Sequence, residues 1–552
     1  MAQYTYTAHF NHQAGGATAR NVKGPDIVTK LAALMGEDRV TTDDLERELY
    51  AAEIANLPPE VVFVFQVKPD IVVRPSCTED VVGTVNIARD NHVPITPRGA
   101  GTLGLGGSLP SKGGIVMDLS SMNRILEVDP DGMTATVEAG VTWEEVRSAA
   151  RSKGLRVGAY PSSALSATVG GWIGGGGVGI GSYKYGPAAD QVRWLEVVLP
   201  NGHVIETGFR SVKDNASGYA LKNLFVGSEG TLGIVTRATI LLHPRAGDVV
   251  PTAYAFKDLK KAASGIQTLT RSPVRPYNIG FVDGNHIKHL EEMGSPVPNA
   301  TGTIVTVALE GHPEEIALCN RETEDALGSA GGRRLSEEEA DEAWLSRSYE
   351  FRVKRLGPGL VPGSVFVPTD RFPEAVDRVY EAISDLGMKA GITGLVADRN
   401  TVDLLPYYIV DDRKMLKGLA VMSFMKRLTD ISLALGGRPV GVGMWFAQNL
   451  GRVHGEGADV MRAIKRSLDP DNLMNPGKLV EVGTRYDLAV PHTVMNAGLG
   501  LMGVLKRTLP PDTEPGETAG PGGMGWRELR AKGDEPEQGK GPDGDGEDDE
   551  GG

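Results

Sequence analysis

The sequence predicts an α+β protein of at least two domains, and three observations carry that expectation. At 552 residues the chain exceeds what one hydrophobic core ordinarily serves. Short β-rich runs are interspersed with amphipathic helical stretches, with no fixed-period repeat. Two glycine-rich segments fall in one region, each after a predicted strand.

Residues 1–60 read as a mostly helical lead-in, and residues 61–245 as the first α+β domain. "PDIVVRPS" is a short strand; Ser76 and Glu79 have capping-box spacing, predicting a helix through about His92. "VPITP" is a strand entering the loop "RGAGTLGLGGSLP", and "GGIVMDLS" and "MTATVEAG" are further strands. Thr142 and Glu145 form a second capping-box pair, with a helix ending near Gly154. "QVRWLEVVLPNGHVIET" is a hairpin turning at Asn201-Gly202, and "GTLGIVTRATILL" closes the domain. Residues 246–450 again mix strands ("GTIVTVALEG", "SVFVP") with a helix ("FPEAVDRVYEAISDLG") and read as a second α+β domain. "GADVMRAIKRSLDP" is a helix within a C-terminal segment, 451–480, stopped by Pro470 and "NPGK". Residues 481–552 read as a docking segment followed by a disordered acidic tail.

Composition excludes several classes. The last twenty residues hold nine acids and one lysine, so most of the −14 net charge sits in the tail. What remains is an ordinary balance without a basic footprint for nucleic acid. No apolar run reaches the ~18 residues of a membrane span, and the N-terminus lacks the pattern of a signal peptide. Cys77 and Cys319 are the only cysteines, too few for an iron–sulfur cluster, a Cys-rich zinc site or a disulfide framework. These readings lead to the expectation of a cytoplasmic protein, with attachment at the periphery of a membrane complex as a further option.

From Gly170 to Gly186, nine of seventeen residues are glycine. Glycine lets backbone N–H groups approach a ligand closely, and successive N–H groups form a nest for phosphate oxygens. A nucleotide pyrophosphate is therefore the first candidate ligand. No Walker loop occurs, and "GAGTLG" fits the dinucleotide fingerprint without its strand–turn–helix context.

"PRGAGTLGLGG" (97–107), "SATVGGWIGGGGVGIGSYKYG" (166–186), "DQVRWLEVVLPNG" (190–202) and "GSEGTLGIVT" (227–236) occur in order. As a set they resemble the PCMH-type FAD-binding domain of the vanillyl-alcohol oxidase/PCMH superfamily. "LDPDNLMNPGKL" (468–479) is similar to the C-terminal segment of its glycolate oxidase and D-lactate dehydrogenase branch. The resemblance covers about residues 60–480 and implies an FAD-binding domain, a substrate (cap) domain and oxidation of an alcohol. It places Arg98, Gly99, Ala100, Gly101 and Thr102 around the FAD pyrophosphate. It places Pro161, Ser166, Thr168, Gly170, Gly171, Gly174 and Gly177 along the flavin, with Ile234 at its pyrimidine edge and Asn475 in the returning segment. Thr102 stands where relatives with covalent flavin often carry a histidine, so non-covalent FAD is expected.

By the same resemblance His454 in "GRVHGEG" is the general base, its ordinary pKa of ~6.5 suiting proton transfer near neutrality. Arg347 matches the arginine that holds a substrate carboxylate; the lysine of that clamp falls on Pro362, and Arg352 and Arg355 are nearby alternatives. Of Tyr407 and Tyr408, adjacent on a strand, at most one can enter the pocket. The three metal-ligand positions of metal-dependent relatives fall on Leu395, Val402 and Val453, so no catalytic metal is expected. The expected activity is FAD-dependent oxidation of a small 2-hydroxy acid such as D-lactate or glycolate. The alternatives are another alcohol, aromatic or an ether-lipid precursor, or a flavin-carrying electron-transfer subunit. With no cluster of its own, the chain needs an acceptor for its electrons. Residues 490–530, with the apolar positions Val494, Leu501, Met502, Leu505 and Leu509 and with Trp526, are expected to dock an iron–sulfur or electron-transfer-flavoprotein partner.

Overall fold

A computed structural model describes residues 25–54, 65, 67–213, 217–245, 247–298, 302–348, 350–410, 415–440, 443 and 447–481. Residues 490–530 lie outside these, so the docking segment and tail receive no structural account. The first half is built on two sheets. One pairs β1 (Val40–Thr41), β2 (Ile71–Val73), β3 (Ile95–Arg98) and β4 (Ile115–Asp118) in the order β1-β2-β4-β3. The other contains β5 (Ile125–Asp129), β6 (Thr134–Glu138), β7 (Leu155–Val157), β8 (Val192–Val198), β9 (Val204–Gly208) and β10 (Ile234–Pro244), with β10 between β6 and β8.

The lead-in is part of this half. Its helix Pro25–Met35 buries Ile27 and Leu31 with Ile71, Val81 and Ile115, and Val40 pairs with Val73. The 473–475 segment also returns here. Ile95 N–H donates to Leu473 O, Asn475 N–H donates to Ile95 O, and Leu473 and Met474 are buried in the same core.

The second half centres on a nine-stranded antiparallel sheet. Its strands are β11 (Val250–Phe256), β12 (Asn278–Val282), β13 (Thr303–Leu309), β14 (Arg333–Arg334), β15 (Gly359–Pro362), β16 (Val365–Pro368), β17 (Ala390–Asp398), β18 (Thr401–Val410) and β19 (Arg438–Pro439). Residues at period two face alternate sides, so each strand presents one row outward and one inward. Outward, Val365, Val367, Val402, Leu404 and Tyr408 pack on helices Leu259–Arg271 and Phe372–Asp385. Burying each large apolar side chain there is worth roughly 1.5–3 kcal/mol. The inward face roofs a cavity shared with the first half.

Local signals behave as their physics dictates, with one exception. Thr142 and Glu145 form the reciprocal capping box of helix Trp143–Ser152. The β8–β9 hairpin turns at Asn201-Gly202 with Gly202 at φ +81°. The Ser76–Glu79 box does not form: helix Thr78–Asp90 begins after Cys77, and the Asp80 carboxylate accepts the Ser76 N–H and hydroxyl instead. Asp80, four residues from Ser76 where Glu79 is three, takes these bonds and also meets Arg39. Among the described residues no helix is long and apolar enough to cross a membrane.

Candidate active site

The cavity is walled on one side by the glycine segments. Arg98, Gly99, Ala100, Gly101, Thr102, Pro161, Thr168, Gly170, Gly171, Gly174, Gly177 and Ile234 all line it. The glycines are of two kinds. At Gly99 a Cβ would meet Thr168 Oγ1 at 2.2 Å, and at Gly170 it would meet Ala139 Cβ at 2.7 Å; these allow segments of the chain to touch. At Gly177 a Cβ would meet nothing nearer than Trp172 Nε1 at 3.9 Å, and at Gly174 nothing nearer than Glu229 Cα at 3.9 Å. The protein itself has room for side chains there, yet has none. A cradle that a Cβ would fill is what a flat cofactor lying along main chain requires.

The lead-in holds the first glycine loop in place. The Arg98 guanidinium donates to the carbonyls of Tyr50 and Ala52, and the Glu53 carboxylate accepts from Gly106 N–H, Ser108 N–H and the Ser108 hydroxyl. Behind the second, Glu229 accepts from Gly443 N–H, and burial raises its pKa to about 7. Two expected cofactor residues lie outside the wall. The Ser166 N–H donates to Ser163 O, so Ser166 belongs to the turn beneath. Asn475 is buried, and its amide donates to Gly107 O and Glu229 O, tying the two glycine segments together.

The sheet face forms the opposite wall. Directly paired residues of antiparallel strands lie on the same face. Thr306 pairs with Gly280, Gly280 with Leu395, Leu395 with Asp403, and Asp403 with Phe366; all five line the cavity. The next row adds Ile304, Val282 and Leu405. The Ser364 hydroxyl donates to Asp403 Oδ1 at 2.9 Å. This register revises the reading of Val402. It faces the outer core, and the residue opposite Leu395 on the cavity side is Asp403.

Arg347 lines the cavity, stacked 3.9 Å over the Trp344 ring, with one nitrogen donating to Trp344 O and another 3.4 Å from Tyr160 Oη. Its Nε is buried without a hydrogen-bond partner, and no carboxylate pairs with it among the described residues. It is the only arginine or lysine of the cap-domain wall among the described residues. Beyond it the wall turns apolar, with Ile287, Leu290, Val297, Pro298 and Phe351.

His454 is not brought to this cavity. It ends the short helix Leu450–His454, is exposed, and is absent from the wall. A general base must stand within hydrogen-bond reach of its proton, so the expected role does not fit its place. Val453 is half-buried on the same turn, and Val440 lines the cavity instead. Tyr407 and Tyr408 do point opposite ways, but neither lines the cavity. Tyr407 Oη lies 2.9 Å from His286 Nδ1 and 2.7 Å from His289 Nδ1. Tyr407 has one hydroxyl hydrogen, so at least one of these imidazoles must donate to it. Burial pushes the pKa of His286 down to about 3 and that of His289 to about 4. Sequence reasoning missed His286, which lines the cavity. The available signal was Asp283, whose carboxylate caps the helix at the His286 N–H. Among the described residues no group of three or more His, Cys, Asp or Glu is placed to hold a metal ion.

Residues 69–208 match the FAD binding domain family, and residues 248–479 match the C-terminal domain of FAD linked oxidases. The chain is 31% identical to the glycolate oxidase subunit GlcD of Bacillus subtilis over 82% of its own length and 96% of that protein. It is 30% identical to the D-lactate dehydrogenase of Archaeoglobus fulgidus over 74% of its own length and 91% of that protein. Its fold is that of p-cresol methylhydroxylase, with a TM-score of 0.71 at 20% identity over 83% of this chain and 96% of the other. The chain therefore belongs to the FAD-linked oxidase family whose members include these glycolate oxidase and D-lactate dehydrogenase relatives, with the PCMH-type fold and FAD as its cofactor.

Proposed function

We propose that this flavoprotein oxidises a small 2-hydroxy acid of the D-lactate or glycolate type. The observation that carries the reading is Arg347, an uncompensated guanidinium on the wall facing the glycine cradle. A substrate carboxylate would complete it with charge-assisted hydrogen bonds, and the stack on Trp344 would hold its plane. Arg98–Thr102 and the 168–177 segment would hold FAD, which when bound accepts a hydride from the carbon bearing the hydroxyl. The sheet face presents Leu395, Leu405, Phe366 and Val440, which exclude water from the reacting carbon.

The glycolate oxidase and D-lactate dehydrogenase activities of the relatives support this reading. A second reading, a longer or aromatic alcohol, is favoured by the apolar wall at Ile287, Leu290, Val297, Pro298 and Phe351. Electrons would then leave through an acceptor or a partner. Both cysteines are free, and an iron–sulfur or electron-transfer-flavoprotein partner docking on residues 490–530 remains our proposal for the exit. The test of the substrate reading is Arg347→Met. It should weaken D-lactate binding to the holoenzyme by about 10- to 100-fold, the worth of a hydrogen bond to a charged group. Unchanged binding would remove Arg347 from the site.

A further inference from the structure

We propose that Asp403 is the catalytic residue that takes the proton of the substrate hydroxyl, held in position by Ser364. The inference rests on the reading above that the substrate bears a CH–OH group.

Oxidation of such a group needs a proton acceptor inside the cavity, and His454 does not reach it. Asp403 is the only carboxylate on the cap-domain wall among the described residues, and it is 7% exposed. Its direction is set by register rather than by a flexible loop. It pairs with Leu395 on one side and Phe366 on the other, in the middle of the sheet. The Ser364 hydroxyl on the neighbouring strand end donates to Oδ1, which fixes the plane of the carboxylate. Beyond Leu395 in the same row, Gly280 leaves an opening. A Cβ there would meet nothing nearer than Asn278 Nδ2 at 3.5 Å. Asp403, this opening and Arg347 line one cavity, and in the proposed pose the substrate hydroxyl meets Asp403 while its carboxylate turns toward Arg347.

The other ionisable groups nearby do not compete for the role. His286, on helix Gly284–Glu292, has its Nδ1 held by Tyr407, and burial disfavours the imidazolium it would become on taking a proton at Nε2. Arg438, on the strand beyond Phe366, stacks on that ring at 5.2 Å and is exposed. Arg347 is a cation and accepts no proton.

In the proposed step the substrate O–H bond breaks and its proton goes to an Asp403 carboxylate oxygen. The C–H bond breaks and its electron pair leaves as hydride to the oxidant, the bound FAD. A C=O bond forms, and Asp403 later returns the proton to solvent.

The test uses the full-length holoenzyme and D-lactate, following flavin reduction anaerobically in rapid mixing across pH. Asp403→Asn should slow reduction by about 10²–10⁴, the usual worth of a general base. The unaltered protein should show an acid-side fall in rate, and this fall should disappear in the variant. Ser364→Ala should keep the acid-side fall with a loss of about tenfold, the cost of one hydrogen bond to a charged group.

A readout independent of turnover uses 2-hydroxy-2-methylpropanoate, which has no hydrogen to give, against 2-methylpropanoate. Perturbation of the flavin spectrum should report about tenfold tighter binding of the hydroxylated acid. Asp403→Ala should lose that preference while retaining FAD. If Asp403→Asn reduces at the unaltered rate with the same acid limb, or Asp403→Ala keeps the preference, Asp403 is not the acceptor. If the unaltered protein neither binds these acids nor is reduced by D-lactate, the hydroxy-acid reading itself fails and takes this inference with it.

Discussion

Replacing Gly177 by alanine separates a glycine kept for a ligand from one kept for the fold. Gly177 lies outside the positive-φ region, and a Cβ there would find only Trp172 Nε1, at 3.9 Å. The FAD-free chain should therefore accept the methyl without loss, and its thermal midpoint should not move. Against a ligand filling the cradle the same methyl is an overpacking substitution, costing about 1–3 kcal/mol. At 1.4 kcal/mol per tenfold, FAD should bind about 5- to 150-fold more weakly. Gly176→Ala is the control. That residue sits at φ +64°, and its Cβ would fall 2.6 Å from Gly227 Cα. It should lower the midpoint of the FAD-free protein, since the left-handed conformation alone costs about 1–2 kcal/mol. The assay is titration of the stripped proteins with FAD, followed by flavin fluorescence, alongside thermal melts. If Gly177→Ala binds FAD within twofold of the unaltered chain, the cradle argument is wrong.

Acid should destabilise the cap domain through its buried imidazoles. His286 and His289 hold pKa values of about 3 and 4 when folded, against 6.5 for a free imidazole. Below about pH 6 the unfolded chain therefore binds protons that the folded chain does not, and stability falls with pH by about 1.4 kcal/mol per unit for each group. The thermal midpoint should drop steeply between about pH 6 and 4, and a flat profile would contradict the burial of this pair. If the second reading holds, the apolar wall predicts that anaerobic flavin reduction quickens from D-lactate to D-2-hydroxyhexanoate; a monotonic fall with chain length would mean that Leu290 and Val297 do not meet substrate and would favour the small hydroxy acid. FAD should be released by acid precipitation, because Thr102 offers no imidazole for a flavin bond. Colour retained in the pellet would refute this. Turnover should survive EDTA, with Leu395 at the cavity wall and Val402 in the outer core; loss restored by zinc or manganese would overturn it.

The parts of this architecture written in local chemistry were legible in the sequence. The Thr142–Glu145 cap and the Asn201-Gly202 turn each depend on a few adjacent residues. The glycine cradle was readable for a related reason: absent side chains advertise a ligand wherever the chain leads. What depended on register was not legible. Asp403 reaches the cavity because it pairs with Leu395 across a hairpin, whereas matching positions along the sequence pointed to Val402. His454 fits a motif by its neighbours in sequence, but its helix ends at the surface, away from the cavity. The lead-in gave no hint of its role either. Tyr50, Ala52 and Glu53 act through carbonyls and one carboxylate on a loop some fifty residues away, contacts that leave no periodic trace.

The central claim is that this chain alone, with FAD, takes electrons from a 2-hydroxy acid bound between the glycine cradle and the cap sheet. The direct measurement is the visible flavin band of the purified holoenzyme, followed anaerobically against D-lactate, glycolate, D-2-hydroxyhexanoate and, as a non-oxidisable control, propionate. The account predicts full bleaching by at least one hydroxy acid, none by propionate, and one 2-oxo acid formed per flavin reduced. A flavin that stays oxidised with every hydroxy acid, yet bleaches on adding another alcohol or a reduced partner protein, would contradict it.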